Sequence, residues 1–284
     1  MERPCLFLSG EFRATQPAVF RREKWQHTMS AKKLFINGEM NIGTDIRTIC
    51  RENFKERIKG IIYYNRTDDF NLEQHNLQTI IISGLPCWPD PATLLTMSSR
   101  HDTLFLCKPY INHFIFQGNW NSFSNYYLNN SKYPFEYPFV LKTGEDHRGQ
   151  NKFLIKYHED FPKFEGIATA EPFFEGESCR VLFIGNKTFG IKYFNDTSWI
   201  KNSCGADIEI FDPPQKMVDH ARLIQNLFHL EISGSDYILL PNGDIRFLEI
   251  NQYPGVDGSD EINETAQKFF DKKMEEVENK WPCI

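Results

Sequence analysis

The stretch YPFVLKTGEDHRGQNKFLIKY, residues 137–157, reads as strand, polar loop, strand. Tyr137-Pro138-Phe139-Val140-Leu141 is apolar and rich in aromatic and β-branched residues, and it ends on Lys142. The loop holds Gly144, His147, Arg148 and Gly149, and Lys152-Phe153-Leu154-Ile155 resumes a strand pattern. A phosphate-binding P-loop is excluded, because GxxxxGK[ST] is absent and no helix pattern follows the glycines. By itself the segment reads equally well as an ordinary surface hairpin, so the chain on either side decides its meaning.

On the C-terminal side lies SDYILLPNGDIRFLEINQYPG, residues 235–255. Pro241-Asn242-Gly243-Asp244 is a hairpin turn signal between strands expected at 236–240 and 245–250. Asp236 opens the first strand. Glu249 and Asn251 lie two apart in the second and so share a face. In-register pairing would bring Asp236 toward them. Two carboxylates and an amide oxygen are hard donors that suit Mg²⁺ bridging phosphates. The plainer alternative is a solvated sheet face. It is disfavoured by Phe247, Leu248 and Ile250, which make the strand look buried. Between the two hairpins, residues 167–194 read as strands joined by Glu171-Pro172-Phe173-Phe174 and Glu175-Gly176-Glu177. Such a crossover can offer backbone groups to a purine edge between apolar neighbours. A later carboxylate can take ribose hydroxyls, although an acidic loop alone is usually just solvated.

The remaining sequence sets bounds. The chain has 284 residues, 40% hydrophobic and 25% charged, as expected of a soluble globular protein. A net charge of −6 gives no global basic footprint, so nucleic acid is not an expected partner. The seven cysteines show no CxxC or zinc-type spacing and fit reduced thiols in a cytoplasmic protein. No apolar run is long enough for a membrane span. Strands are expected at 5–9, 33–36, 60–65 and 77–84, and a helix at 45–59. The alternation suggests a small α/β layer ending near residue 95. Residues 92–108 and 214–229 read as helices, and 260–279 as a charged closing helix. Residues 109–136 show no period.

Taken in order, Lys142 at a strand end, the glycine-bearing loop, Glu171 to Phe174, CRVLFIGNKTFGIKY (179–193) and LEINQYPG (248–255) resemble the ATP-grasp superfamily of carboxylate–amine ligases. The last motif is similar to that of ribosomal-protein glutamate ligases and D-alanine–D-alanine ligases. YPFVLKTGEDHRGQNK and TSWIKNSCGA (197–206) resemble the synapsin ATP-binding domain. The resemblance spans about residues 137–258 and implies an α/β (α+β) fold with nucleotide between two β-sheet lobes. It implies an N-terminal domain at 1–95, a central lobe at 96–170 and a C-terminal catalytic lobe at 171–284.

It also implies roles. Lys142 would contact the phosphates of ATP, with Gly144 to Gly149, His147 included, forming a flap over them and Lys152 ending it. Glu171 would face the adenine amine with Phe173 and Phe174 beside the base, and Glu177 would take the ribose. Arg180 and Lys192 would meet phosphates or the reacting carboxylate, with Lys201 and Asn202 near the γ-phosphate. Arg100 would complete the phosphate set, and Asp236, Glu249 and Asn251 would hold one or two Mg²⁺ ions. The implied substrates are a carboxylate and an amine, the acceptor extending to a peptide or protein, and a homodimer is compatible with this. The flap has fewer small residues than the family's, and Pro172 has no N–H to offer a base. The Glu-x-Asn pair is kept here, whereas synapsin's corresponding strand ends differently. That favours an ADP-forming ligase that joins C–N bonds through an acylphosphate. The alternative is a non-catalytic, synapsin-like module in which ATP regulates assembly.

Overall fold

The structure, a computed structural model, describes residues 5–9, 34–37, 60–63, 70–84, 87–130, 133–144, 151–195, 198–201, 206–255 and 259–280. The helix expected at 45–59, the flap residues His147 and Gly149, and Asn202 lie outside the described residues.

Four short strands, β1 (Cys5–Ser9), β2 (Leu34–Asn37), β3 (Gly60–Tyr63) and β4 (Cys87–Trp88), form an all-parallel sheet in the order β2-β1-β3-β4. Residues 77–84, expected as a strand, instead belong to helix α1 (Phe70–Ser83). The run Ile80-Ile81-Ile82 has strand-like composition, but Leu77 and Ile80 are fully buried while Ile82 is 85% exposed. That is a helical pattern. Topology requires it too, because parallel β3 and β4 cannot be joined by a tight turn and α1 supplies the crossover. Gly84, at φ +65°, ends the helix in the left-handed region.

The expected helix at 92–108 is two helices, α2 (Pro91–Met97) and α3 (Arg100–Cys107). Ser99 breaks the run by capping α3, its hydroxyl accepting from the Asp102 N–H at 3.2 Å. The aperiodic stretch contains β5 (Phe116–Asn119) and helix α4 (Trp120–Asn130).

A four-stranded antiparallel sheet follows, in the order β5-β8-β6-β7, with β6 (Phe139–Thr143), β7 (Lys152–Ile155) and β8 (Ile167–Pro172). A five-stranded antiparallel sheet runs β11-β10-β9-β12-β13. Its strands are β9 (Glu177–Ile184), β10 (Lys187–Phe194), β11 (Asp207–Phe211), β12 (Ile232–Leu239) and β13 (Ile245–Asn251). Helix α5 (Gln215–Leu227) packs on one face of this sheet through Met217, Ala221 and Ile224, together with Met97 and Leu104 of α2 and α3. Helix α6 (Asp260–Lys280) packs on the other face through Ile262, Ala266 and Phe270. Among the described residues no helix is long and apolar enough to cross a membrane.

Candidate active site

The decisive hairpin is β6–β7, and its two faces differ. Phe139 and Leu141 bury against Ala168, Ala170 and Phe123. Alternation and register put Val140, Lys142, Thr169 and Glu171 on the opposite face. There Lys142 Nζ lies 2.6 Å from Glu171 Oε1, both side chains 4% exposed. Burial pushes the Glu171 carboxyl up, but the Lys142 ammonium and His113 outweigh it and leave the pKa below its ordinary value. Lys152 stands directly across from Lys142 in the ladder. Burial holds the Lys152 pKa below its ordinary value. Glu249 and Asp236 oppose that shift, and Lys142 and Arg100 reinforce it. Arg100, the first residue of α3, donates from Nη1 to the Gly144 carbonyl at 3.0 Å and sets Nε 3.9 Å from Glu249 Oε2. Arg100 thus links Gly144, just past β6, to the five-stranded sheet.

On that sheet Arg180, Asp236 and Glu249 form one cross-strand row over β9, β12 and β13. Arg180 donates to both oxygens of Asp236, Nε to Oδ1 at 2.7 Å and Nη2 to Oδ2 at 2.9 Å. Burial disfavours the guanidinium charge, but Asp236 outweighs it and raises the Arg180 pKa. Asn251 Nδ2 reaches Asp236 Oδ2 at 3.4 Å. The ladder slips between Asp236 and Tyr237, leaving Leu248 as the extra residue of a bulge. The bulge lets Phe247 and Ile250, three apart, both face the core while Glu249 and Asn251 face the site. Asp236 does not open its strand, as the sequence suggested; it is the fifth residue of β12. The preceding Ser233-Gly234-Ser235 is small and lacks a strand signature, but Gly234 has a steric task. A Cβ there would come within 3.0 Å of Arg180 Cδ and 2.8 Å of Pro254 Cβ, so the glycine makes room for the guanidinium.

Not every expected residue joins this row. Lys192 pairs with Glu177, Nζ to Oε2 at 3.0 Å, and lies over the Phe211 ring at 5.1 Å. Its ladder partner is Cys179, whose side chain belongs to the core cluster on the sheet face away from Arg180. Lys201 donates to the Asn195 carbonyl in its own connection. Phe173 meets Trp199 edge-on at 6.3 Å, while Phe174 packs against His113 at 4.9 Å. His113, from the aperiodic stretch, was not singled out in the sequence. Its Nε2 lies 3.7 Å from Glu171 Oε2.

The site therefore gathers Lys142, Lys152 and Arg100 against Glu171, Glu249 and Asp236, with Arg180 paired to Asp236. Such a set can hold a polyanion by exchanging internal partners for external ones. The pocket beside Arg100, Glu249 and Asn251 offers about 20 Å³, far below what a ligand of nucleotide size needs, so binding there requires that exchange. Asp236, Glu249 and Asn251 fit Mg²⁺, since their donors are hard oxygens from one sheet face. Among the described residues no group of three His, Cys, Asp or Glu could hold a metal ion. Two carboxylates and an amide match an ion whose remaining ligands are phosphate and water.

No protein-family model matches the sequence, and no curated protein matches it. Solved structures do. D-alanine–D-alanine ligase from Bacillus anthracis superposes with a TM-score of 0.67 at 11% identity, over 98% of this chain and 97% of that one. The ATP-grasp ligase PsnB, complexed with a phosphomimetic minimal precursor, Mg and ADP, gives a TM-score of 0.57 at 10% identity, over 96% and 99% of the two chains. PsnB with precursor peptide PsnA2 and AMPPNP gives 0.58 at 10% identity, over 98% and 100%. These likenesses span nearly the whole chain, and the fold of this protein is that of the ATP-grasp ligases.

Proposed function

We propose that this protein is an ATP-dependent carboxylate–amine ligase acting through an acylphosphate. The observation that carries the reading is the Arg180–Asp236–Glu249 row with Asn251 beside it, gathered with Lys142, Lys152 and Arg100. The neighbours whose structures hold ATP, or Mg and ADP, support Mg-ATP as the nucleotide. The precursor peptide held by PsnB supports a peptide acceptor as one class of substrate. Here residues 1–95, 96–170 and 171–284 are the N-terminal domain and the two lobes that enclose the nucleotide.

Lys142, Lys152 and Arg100 hold the phosphates and offset their charge as it shifts during transfer. Glu171 faces the adenine amine, and Phe173 and Phe174 flank the base. Glu177 takes the ribose, and Lys192, paired to it, holds that carboxylate in place. Mg²⁺, held by Asp236, Glu249 and Asn251, would supply charge neutralisation at the phosphate oxygens. Arg180 orients Asp236 and presents its guanidinium beside the transferring group. The substrate carboxylate attacks the γ-phosphorus and the bond to the bridging oxygen breaks, giving acylphosphate and ADP. The amine then attacks the acyl carbon, phosphate leaves, and the amine gives up a proton. Exclusion of water by the closed lobes protects the acylphosphate.

The test is release of ADP and phosphate during a screen of amino acids and short peptides. Release that requires a carboxylate and an amine together supports the ligase. Tight ATP binding that changes the oligomeric state, with no release for any pair, replaces it with the synapsin-like module.

A further inference from the structure

Strand β11 ends the five-stranded sheet, paired to β10 alone. Among the described residues no other backbone group meets its outer edge, and Asp207 to Ile210 are all exposed. Such an edge presents unpaired N–H and C=O groups, a template for one more strand. Proline or a bulge commonly blunts it, but β11 has neither, and its register with β10 runs unbroken. Its two faces differ. Ile210 stands across from Ile191, and Ile191 across from Arg180. Ile210, Ile191, Arg180, Asp236 and Glu249 therefore form one row over all five strands, on the face that carries the proposed chemistry. Ile208 and Ile210 are 38% and 44% exposed at its outer end. Asp207 and Glu209 lie on the opposite face, where Lys192, across from Glu209, is paired to Glu177. Among the described residues no ion pair reaches Asp207 or Glu209.

We infer that β11 is a docking strand for a peptide acceptor, an extended segment that alternates apolar and basic residues. The peptide backbone pairs with the free edge. Its apolar side chains lie beside Ile208 and Ile210, and its basic ones beside Asp207 and Glu209. Strands lie about 4.8 Å apart, so the added strand is about 14 Å from β9, a distance that about five residues of extended chain cover to reach Arg180. A second copy of this chain fits the edge less well. Full-length antiparallel pairing of two β11 strands sets Glu209 against Glu209, and like charges directly opposite are destabilising. The inference rests on the ligase reading above and adds to it where the acceptor is held.

The probes are short capped peptides of alternating valine and lysine, or alternating valine and glutamate, titrated into the full chain without nucleotide and read by fluorescence anisotropy. The lysine peptide should bind about tenfold tighter, the worth of two partly exposed charge pairs. Asp207→Lys with Glu209→Lys should reverse that preference, and Ile208→Ser with Ile210→Ser should weaken both peptides. All four positions are exposed, so the variants should fold, as thermal unfolding will check. N-methylation of alternate residues blocks one edge of a strand. Of two lysine peptides, one methylated on every valine and one on every lysine, at least one should lose binding. Binding of both as tight as the parent's shows charge attraction without strand pairing and overturns the inference. So does a preference that ignores the charge reversal, or no saturable binding of the lysine peptide. A dimer in sedimentation that Ile208→Ser with Ile210→Ser dissolves puts a second copy on the edge and overturns it too. These titrations need neither ATP nor turnover, so their failure strikes the docking strand alone. Absence of ADP and phosphate release with every carboxylate–amine pair strikes the ligase reading instead.

Discussion

Asp236 and Glu249 face each other across β12 and β13, yet the structure gives them different work, and two conservative substitutions should separate it. Asp236 is 3% exposed and takes both hydrogen bonds of the Arg180 fork, at 2.7 and 2.9 Å. Asp236→Asn keeps the shape but leaves a buried guanidinium without its counter-charge. Breaking a buried pair from one side costs about 3–5 kcal/mol. At roughly 2–4 °C per kcal/mol for a chain of this size, the melting temperature should fall by on the order of 10 °C. Glu249 is 18% exposed, and its contact with Arg100 is 3.9 Å, longer than a hydrogen bond. Glu249→Gln should cost less stability than Asp236→Asn, because the side chain is more open and that contact is longer. Its functional cost should be far larger, because it removes one negative charge from the proposed Mg²⁺ donors. Phosphoryl transfer should drop at least about a hundredfold. The assays are thermal unfolding without nucleotide and ADP release with a substrate pair that supports turnover. Equal melting shifts in the two variants would refute the division of roles, and full turnover by Glu249→Gln would refute the metal assignment.

Lys142→Ala removes the partner of a buried carboxylate and a phosphate contact together, so both stability and ATP affinity should fall, the first by about 3 kcal/mol. Lys142→Arg should recover part of each in parallel unfolding and binding titrations. The Lys152 pKa lies below its ordinary value, so phosphates that stabilise the ammonium should raise it. ATP binding should therefore take up protons increasingly as the pH becomes alkaline, seen as a buffer-dependent heat in calorimetry; no dependence on buffer ionisation counts against it. The Glu171 pKa lies below its ordinary 4.5, so in the unfolded chain the carboxyl binds its proton at higher pH. Its contribution to stability is complete above that value and is lost as pH falls through the folded pKa. Glu171→Gln should lack that part of the acid transition in pH-dependent unfolding.

What the sequence made legible was whatever short-range period carries. Glu249 and Asn251 share a face because strands repeat every two residues, while the bulge that turns both Phe247 and Ile250 to the core was not read from the sequence. Lys142 stood out because an apolar strand ended on it. The sequence was silent or misleading where the deciding contact is distant. Ile80-Ile81-Ile82 has strand composition, and only the parallel pairing of β3 with β4 makes a helix necessary. Ser233-Gly234-Ser235 looks like loop, because the reason for Gly234 is an arginine on the next strand. Lys192 sits near Arg180 in the β9–β10 hairpin, and only the ladder register puts it opposite Cys179, on the other face. His113 lacked any local signal, since its meaning comes from Glu171 and Phe174, roughly sixty residues further on.

The most direct measurement is a crystal structure of the protein with Mg²⁺ and a non-hydrolysable ATP analogue. The account predicts nucleotide between the four-stranded and five-stranded sheets, with Lys142 and Arg100 on its phosphates and the base against Glu171 and Phe174. It predicts Mg²⁺ on Asp236, Glu249 and Asn251. Nucleotide bound elsewhere, or phosphates bound while those three side chains stay off the metal, would contradict it.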